Sequence, residues 1–270
     1  ASYVLFVYVP MVHAHCALFP GVVAHKWKLS HGIPYVITEH SSRYANKPLK
    51  KWERMIVREA VLNAEQNIAV SKSLKKDLCH CLGLKTETWC CIPNLVSEAF
   101  HPQNTRTFDP ADRSIFLNVG ALIEIKGQAT LIEAFARSFP FPSKNELWIV
   151  GEGPLLKKLQ ALAINLKIND RVQFMGHKPH RDIPGILSCA RALMISSKYE
   201  TFSVVAAEAL VSGTPVIATR CGGPEDIIGK GDGLLVQPNS VEELARALLH
   251  IEGHAELYDP MEISARATKR

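Results

Sequence analysis

Residues 198–228, KYETFSVVAAEALVSGTPVIATRCGGPEDII, decide how this chain folds. A polar turn, Lys198-Tyr199-Glu200-Thr201, leads into residues 202–212, whose apolar side chains and alanines suit a helix packed on a sheet. Gly213-Thr214-Pro215 stops that helix and the β-branched pair Val216-Ile217 follows as a buried strand. Cys221-Gly222-Gly223-Pro224-Glu225 then turns into another helix. The stretch is one α/β unit with a polar loop at its mouth.

Two carboxylates bracket that loop and helix, Glu200 and Glu208, with seven residues between them. Eight positions is a little over two helical turns, so on one helix they would share a face only roughly. Because Glu200 sits in the loop, both can point into one cleft above the helix start. The open N–H groups of Phe202, Ser203, Val204 and Val205 would face the same space, and such a helix end attracts phosphate. Carboxylates for sugar hydroxyls beside amides for phosphates is the chemistry of a nucleotide-sugar site.

These residues resemble the family 4 glycosyltransferases of the GT-B fold, whose signature is a Glu, seven residues and a second Glu. The segments E-T-F-S, E-A-L-V-S-G-T-P-V-I-A-T and G-G-P-E-D-I-I follow the family pattern in register. A bare pair of Glu at this spacing would instead read as two solvated helix acids.

The 270 residues suffice for two α/β domains, and 47% apolar residues describe a core-forming chain. No apolar run reaches membrane-spanning length. The opening ASYVLFVYVPMV lacks the basic start and cleavage site of a signal peptide and reads as a strand already under way, the expectation being a truncated start. A formal charge of +5 fits an anionic ligand or membrane surface, while no basic tail or aromatic-interleaved basic patch supports nucleic acid. Seven cysteines without a regular framework fit reduced thiols in a cytoplasmic protein. Cys79-His80-Cys81 and Cys90-Cys91 lack zinc-knuckle spacing and read as buried or idle thiols.

Along the chain, a strand at residues 4–12 leads into His13-Ala14-His15-Cys16, a helix is expected over residues 17–29, and a strand over 34–38 ends in Glu39-His40-Ser41-Ser42. A polar cluster past a strand's C-terminal end is where open α/β sheets place ligands. His40 is therefore either a site residue or a histidine satisfied by backbone partners. The segment P-Y-V-I-T-E-H resembles the family's N-terminal domain, whose His lies beside the transferred sugar, which favours the first. V-H-A-H resembles the preceding family strand, which makes His13 and His15 weaker candidates for the cleft than His40, with a structural role the favoured reading of each. Residues 45–65 carry Lys47, Lys51, Arg54 and Arg58 on one helical face: a solvated surface or, more sharply, a peripheral membrane contact. Ser71 caps a helix over residues 74–82, a strand is expected over 88–92, and A-V-S-K-S-L with I-P-N resembles the family's exit from its first domain.

Residues 93–113 are polar, without periodicity, and read as an interdomain connection. A strand over 114–119 ends at Gly120, and A-L-I-E-I-K-G-Q resembles the family's phosphate-binding turn, which places Lys126 on the donor diphosphate. Ala121 stands where the family often has an Arg. Gly151-Glu152-Gly153-Pro154 follows the next strand and Gly176-His177-Lys178 the one after; by resemblance these flank the nucleotide and its base. Strand and helix alternate about six times from Ser114 onward, which implies a doubly wound parallel sheet.

The expectation is thus an α/β chain of GT-B type with two Rossmann-like domains, residues 1–101 (incomplete, acceptor side) and 102–270 (nucleotide-sugar side), the donor cleft lying between them. The resemblance implies a retaining glycosyltransferase moving a sugar from a nucleoside-diphosphate sugar to a glycan or lipid-linked acceptor hydroxyl. Lys126 and the amides near Phe202 would meet the diphosphate, Glu208 the ribose, Glu200 the sugar hydroxyls and His40 the sugar's edge. No cofactor is expected, and the lack of any D-x-D fits an enzyme that needs no metal. Two other readings stay open: a nucleotide-sugar epimerase on the same fold, and a nucleotide-sugar-binding remnant without catalysis.

Overall fold

Ten strands, all parallel within their sheets, carry the fold among the described residues. The computed structural model describes residues 11–46, 49–102 and 113–270. The first ten residues, Lys47 and Pro48, and residues 103–112 lie outside these, and with them most of the expected opening strand, Lys47 of the basic face and much of the expected connection. The chain divides into two units, Ala1–Asn94 and Leu95–Arg270.

In the first unit, β1 (Val12–His15), β2 (Tyr35–Glu39), β3 (Gln66–Ala69) and β4 (Cys90–Cys91) pair in sequence order. Their crossovers are the helices α1 (Val22–His31), α2 (Arg43–Asn46), α3 (Lys51–Asn63) and α4 (Lys72–Leu82). Tyr35, Ile37, Val57, Leu74, Leu78 and Trp89 are fully or almost fully buried and form its centre. Ser71 caps α4 as expected, its Oγ accepting from Leu74 N–H at 3.0 Å.

Three expectations need correction here. The first helix begins at Val22, because Phe19 has φ 65° and Pro20 follows it, so Ala17–Gly21 is an irregular turn. The long basic helix is two pieces, α2 and α3, with Lys51, Arg54 and Arg58 exposed on α3. The strand expected over residues 88–92 shrinks to Cys90–Cys91, preceded by the 3-10 turn Thr86–Thr88.

The second unit is the doubly wound sheet that the alternation implied. Its strands are β5 (Ile115–Val119), β6 (Glu146–Val150), β7 (Val172–Gly176), β8 (Ala192–Ile195), β9 (Val216–Thr219) and β10 (Gly233–Val236), in the spatial order β10-β9-β8-β5-β6-β7. The chain winds outward from β5 to β7, returns to lie on the other side of β5 as β8, and winds outward again. Between β5 and β8 the direction of winding reverses, and such a point opens a crevice at the strands' C-terminal ends. The helices are α5 (Gln128–Ser138), α6 (Leu156–Asn165), α7 (Ile183–Ser188), α8 (Val204–Val211), α9 (Gly223–Ile227), α10 (Val241–Gly253) and α11 (Pro260–Thr268).

Phe116 of β5 stacks on Phe139 with ring centroids 5.3 Å apart, and Phe135 of α5 meets Phe139 edge-on at 5.3 Å. This aromatic trio welds α5 to the sheet. The last helix, α11, was not foreseen. It is tied down by Asp232, whose side chain is 0% exposed and takes Arg266 Nε at 2.7 Å and Arg270 Nη2 at 2.6 Å.

Candidate active site

The two strands at the reversal each hand the chain to a polar loop. After β5 the chain passes Gly120 and the 3-10 turn Glu124–Lys126; after β8 it passes Ser196, Ser197 and Glu200 before α8. The loops are bonded to each other, once main chain to main chain and once side chain to main chain. Lys198 N–H donates to Ile125 O at 2.7 Å and Ser196 Oγ to Lys126 O at 2.8 Å. Gly127 has φ 65°, and a Cβ there would collide with the Ser196 carbonyl oxygen. Only glycine permits so close an approach at that dihedral.

This frame brings Lys126 and Glu200 together. Lys126 Nζ donates to Glu200 Oε1 at 2.6 Å, and Ser197 Oγ donates to the same oxygen at 2.6 Å. Their side chains are 29% and 13% exposed. The Lys126 stem passes over Gly120, where a Cβ would stand 3.8 Å from its Cδ and Cε. On its other side the backbone of Glu200 is fixed: its N–H donates to Cys221 O at 2.7 Å, and its carbonyl accepts from Gly223 N–H at 2.8 Å. Burial pushes the neighbouring Cys221 thiol up to about 12, so it stays protonated at neutral pH.

At the start of α8, Phe202 is buried and Ser203 is left-handed at φ 72°. Helical geometry begins only at Val204, and Ala206 N–H already donates to Ser203 O at 3.1 Å. Of the four amides grouped by the sequence reading, Val204 and Val205 therefore form the helix's open end, while Phe202 and Ser203 belong to the turn before it. Ser203 is 8% exposed and its Oγ meets no partner among the described residues.

Glu208 lies one turn further along α8 and is 5% exposed. Its Oε1 is 2.7 Å from Nε2 of His180, a largely exposed histidine whose ring centroid is 5.2 Å from that of Phe100. Sequence reading missed His180, although it stands only two residues past Lys178; nothing in the local pattern shows a contact made 28 residues away. Gly151 and Gly153 pack against the backbone of Gly120 and Leu122, where a Cβ on either would collide. They support the turn after β5 from below. Gly176 ends β7, and His177 N–H donates to Glu152 Oε1 at 3.3 Å. His177 is exposed and Lys178 half-buried.

In the first unit, His40 follows β2 and stands beside His15 of β1, His15 Nδ1 and His40 Nε2 being 3.1 Å apart. Glu39 is 0% exposed. It accepts Ala17 N–H at 2.7 Å, His40 N–H at 2.9 Å and Ser41 N–H at 2.7 Å. That buried carboxylate, with Tyr44, Cys16, Arg43 and His15, lines a cavity of ≈ 330 Å³. Burial, then the Glu39 charge, pushes the Cys16 thiol and the Tyr44 phenol up, so both stay protonated. Among the described residues, no three His, Cys, Asp or Glu side chains group to hold a metal ion, and no helix is long and apolar enough to cross a membrane.

The model of the glycosyl transferases group 1 family matches residues 103–268, which is the whole second sheet with its loops, and that of glycosyltransferase family 4 matches residues 9–100. The chain belongs to the family 4, group 1 glycosyltransferases. An uncharacterised glycosyltransferase of Methanocaldococcus jannaschii is 27% identical to this glycosyltransferase over 250 residues, 92% of this chain and 67% of that protein. The alpha-D-kanosaminyltransferase of Streptomyces kanamyceticus is 26% identical over 272 residues, 93% of this chain and 70% of its own length. The lipopolysaccharide core biosynthesis glycosyltransferase LpsE of Rhizobium meliloti is 36% identical over 143 residues, 53% of this chain and 40% of that one.

Among solved structures, sucrose-phosphate synthase from Thermosynechococcus elongatus superposes with a TM-score of 0.81 at 25% identity, covering 96% of this chain and 69% of that one. Anabaena HepE, solved in complex with UDP, gives 0.84 at 21% identity, covering 96% and 74%. These likenesses confirm the α/β fold of GT-B type.

Proposed function

We propose that this glycosyltransferase moves a sugar, with retention, from a nucleoside-diphosphate donor to a hydroxyl of a glycan or lipid-linked acceptor. The observation that carries the reading is the Lys126–Glu200 pair, held by main-chain bonds at the reversal of the second sheet beside the open end of α8. Breaking the anomeric C–O bond leaves charge on the departing diphosphate, and fixed positive groups at that oxygen lower the barrier. Lys126 Nζ and the amides of Val204 and Val205, with the turn at Phe202 and Ser203, meet that charge. The buried Oγ of Ser203 is free to donate to it as well.

Glu200 then exchanges Lys126 for sugar hydroxyls, and Glu208 exchanges His180 for the ribose; an ionised carboxylate accepts from both kinds of partner. Gly120, Gly151 and Gly153 let backbone and ligand approach, and Gly176, His177 and Lys178 border the base. By the family pattern of P-Y-V-I-T-E-H, His40 would serve the sugar's edge. Support for the donor comes from the UDP bound in HepE, and for a glycan acceptor from the name of LpsE. The reading calls for no metal, since Lys126 and the amides supply the positive side and the chain has no D-x-D. Residues 1–101 would serve the acceptor side and 102–270 the donor.

A peripheral membrane contact extends the reading to lipid-linked acceptors. Residues 1–94 hold 12 Lys and Arg against 6 Asp and Glu, and α3 exposes Trp52 and Met55 beside Lys51, Arg54 and Arg58. Basic side chains flanking exposed aromatics suit an anionic interface. Sedimentation with phosphatidylserine vesicles, against neutral vesicles, tests it.

The main test is steady-state kinetics of Lys126→Ala with the donor chosen by thermal shift across nucleoside-diphosphate sugars, because a bound donor raises the melting temperature. Loss of one such charge donor lowers kcat by roughly 10²–10³-fold, with KM changing less. Turnover equal to wild type would remove Lys126 from the diphosphate and the reading with it.

A further inference from the structure

Beside its ion pairs Lys28–Glu65 and Arg43–Glu53, the first unit gathers three imidazoles. His13 and His15 are two apart on β1 and so share a face of the sheet. His15 lies opposite Thr38 in the parallel register, which brings His40, two residues past Thr38, alongside. The rings form a column, His13 over His15 with centroids 4.4 Å apart at 29°, and His40 set edge to edge beside His15 with centroids 5.3 Å apart at 16°. Within it, His15 Nδ1 and His40 Nε2 are separated by 3.1 Å. Nitrogens at that distance hold one proton between them, since none sets lone pair against lone pair and two set N–H against N–H.

We infer that His15 is a positioning residue for His40, fixing its tautomer and tilt through this shared proton and so deciding whether His40 Nδ1 gives or takes a hydrogen bond. The inference rests on the proposed place of His40 beside the transferred sugar. Both ends of the column are braced. His13 Nε2 lies 2.7 Å from Thr38 Oγ1, and the buried Glu39 carboxylate takes the backbone N–H of His40 and of Ser41.

The titratable groups facing His40 are His13, His15 and Cys16 from the β1 side and Glu39 from β2. Burial, then the His15 ring, hold His40 below the ordinary histidine value, with Glu39 pulling the other way. His40 is therefore neutral at neutral pH, as a nitrogen with a defined donor or acceptor role requires.

The test joins long-range proton–nitrogen NMR of the 15N-histidine-labelled full chain to kcat and KM between about pH 5 and 8. Wild type, His15→Ala, His15→Asn and His40→Ala are compared. In wild type the His40 ring shows one tautomer. In His15→Ala it shows a mixture, kcat falls roughly tenfold with donor KM nearly unchanged, and the acid limb of kcat moves to higher pH as a depressing neighbour is lost. His15→Asn, whose amide reaches the place of Nδ1, restores the single tautomer and most of kcat. A single unchanged His40 tautomer in His15→Ala overturns the inference. So does wild-type kcat in His15→Ala where His40→Ala is impaired, which leaves the site reading standing. Wild-type kcat in His40→Ala removes His40 from the site instead, and the NMR arm still decides whether His15 fixes its ring. Should His15→Ala fail to fold, the wild-type and His15→Asn spectra carry the test.

Discussion

Glu39, which ends β2 in the first unit, and Glu200, in the loop after β8 in the second, are both shielded carboxylates, yet they are bonded in opposite ways. Glu39 spends its oxygens on three backbone N–H groups, those of Ala17, His40 and Ser41. Glu200 spends one oxygen on two side chains, Lys126 and Ser197. A carboxylate bonded to main chain is part of the fold, because its removal orphans buried amides. One bonded to side chains can trade them for the hydroxyls of a ligand. The contrast separates an acid that shapes a loop from an acid available for chemistry.

The contrast breaks if the two acids respond alike to removal. Glu39→Ala leaves three backbone donors without their acceptor and costs roughly 3 kcal/mol at about 1 kcal/mol each, read from urea unfolding. Asp232→Ala removes an acid of the second unit whose partners are mixed, one backbone N–H and two arginines. It strips Gly229 N–H, Arg266 and Arg270 of one buried acceptor, and costs roughly 2 kcal/mol because both arginines remain partly exposed. Glu200→Gln changes stability by less than about 1 kcal/mol, since an amide still accepts from Ser197 and Lys126 keeps access to water. Its kcat nevertheless falls, which steady-state kinetics reads directly.

The smallest effect is a pH dependence of the first unit. His40 has a folded value below its unfolded one, so the unfolded chain binds more protons in between. Its contribution is present above the ordinary histidine value and is lost as pH falls through the folded value. Melting curves taken on acidification show that loss in wild type, and His40→Gln flattens it.

Main-chain punctuation made much of this legible in sequence. Gly213-Thr214-Pro215 between α8 and β9, Gly120 after β5 and the Ser71 cap of α4 all act within a few residues, and their elements fall where expected. Placing Lys126 and Glu200 in one site needed the family pattern, because they stand 74 residues apart. What escaped depends on partners far away in sequence. Ala17–Gly21 departs from a helix with Phe19 left-handed and Ala17 N–H bound to Glu39, 22 residues on, and His180 finds Glu208 only through the folded sheet. The start of α11 was written locally. Asp259 accepts Glu262 N–H at 2.8 Å with Pro260 at the first turn, a cap signal that went unread.

The hydrogen bonds that join the loops after β5 and β8 have a consequence for how a donor is received. With Lys198 N–H on Ile125 O, Ser196 Oγ on Lys126 O and Gly127 pressed to the Ser196 carbonyl, neither loop can swing without dragging the other. Adaptation to an incoming molecule is left to rotamer changes of a lysine and a glutamate on a stiff frame. Such a receptor responds electrically rather than mechanically, and its affinity for a charged donor falls as ionic strength rises.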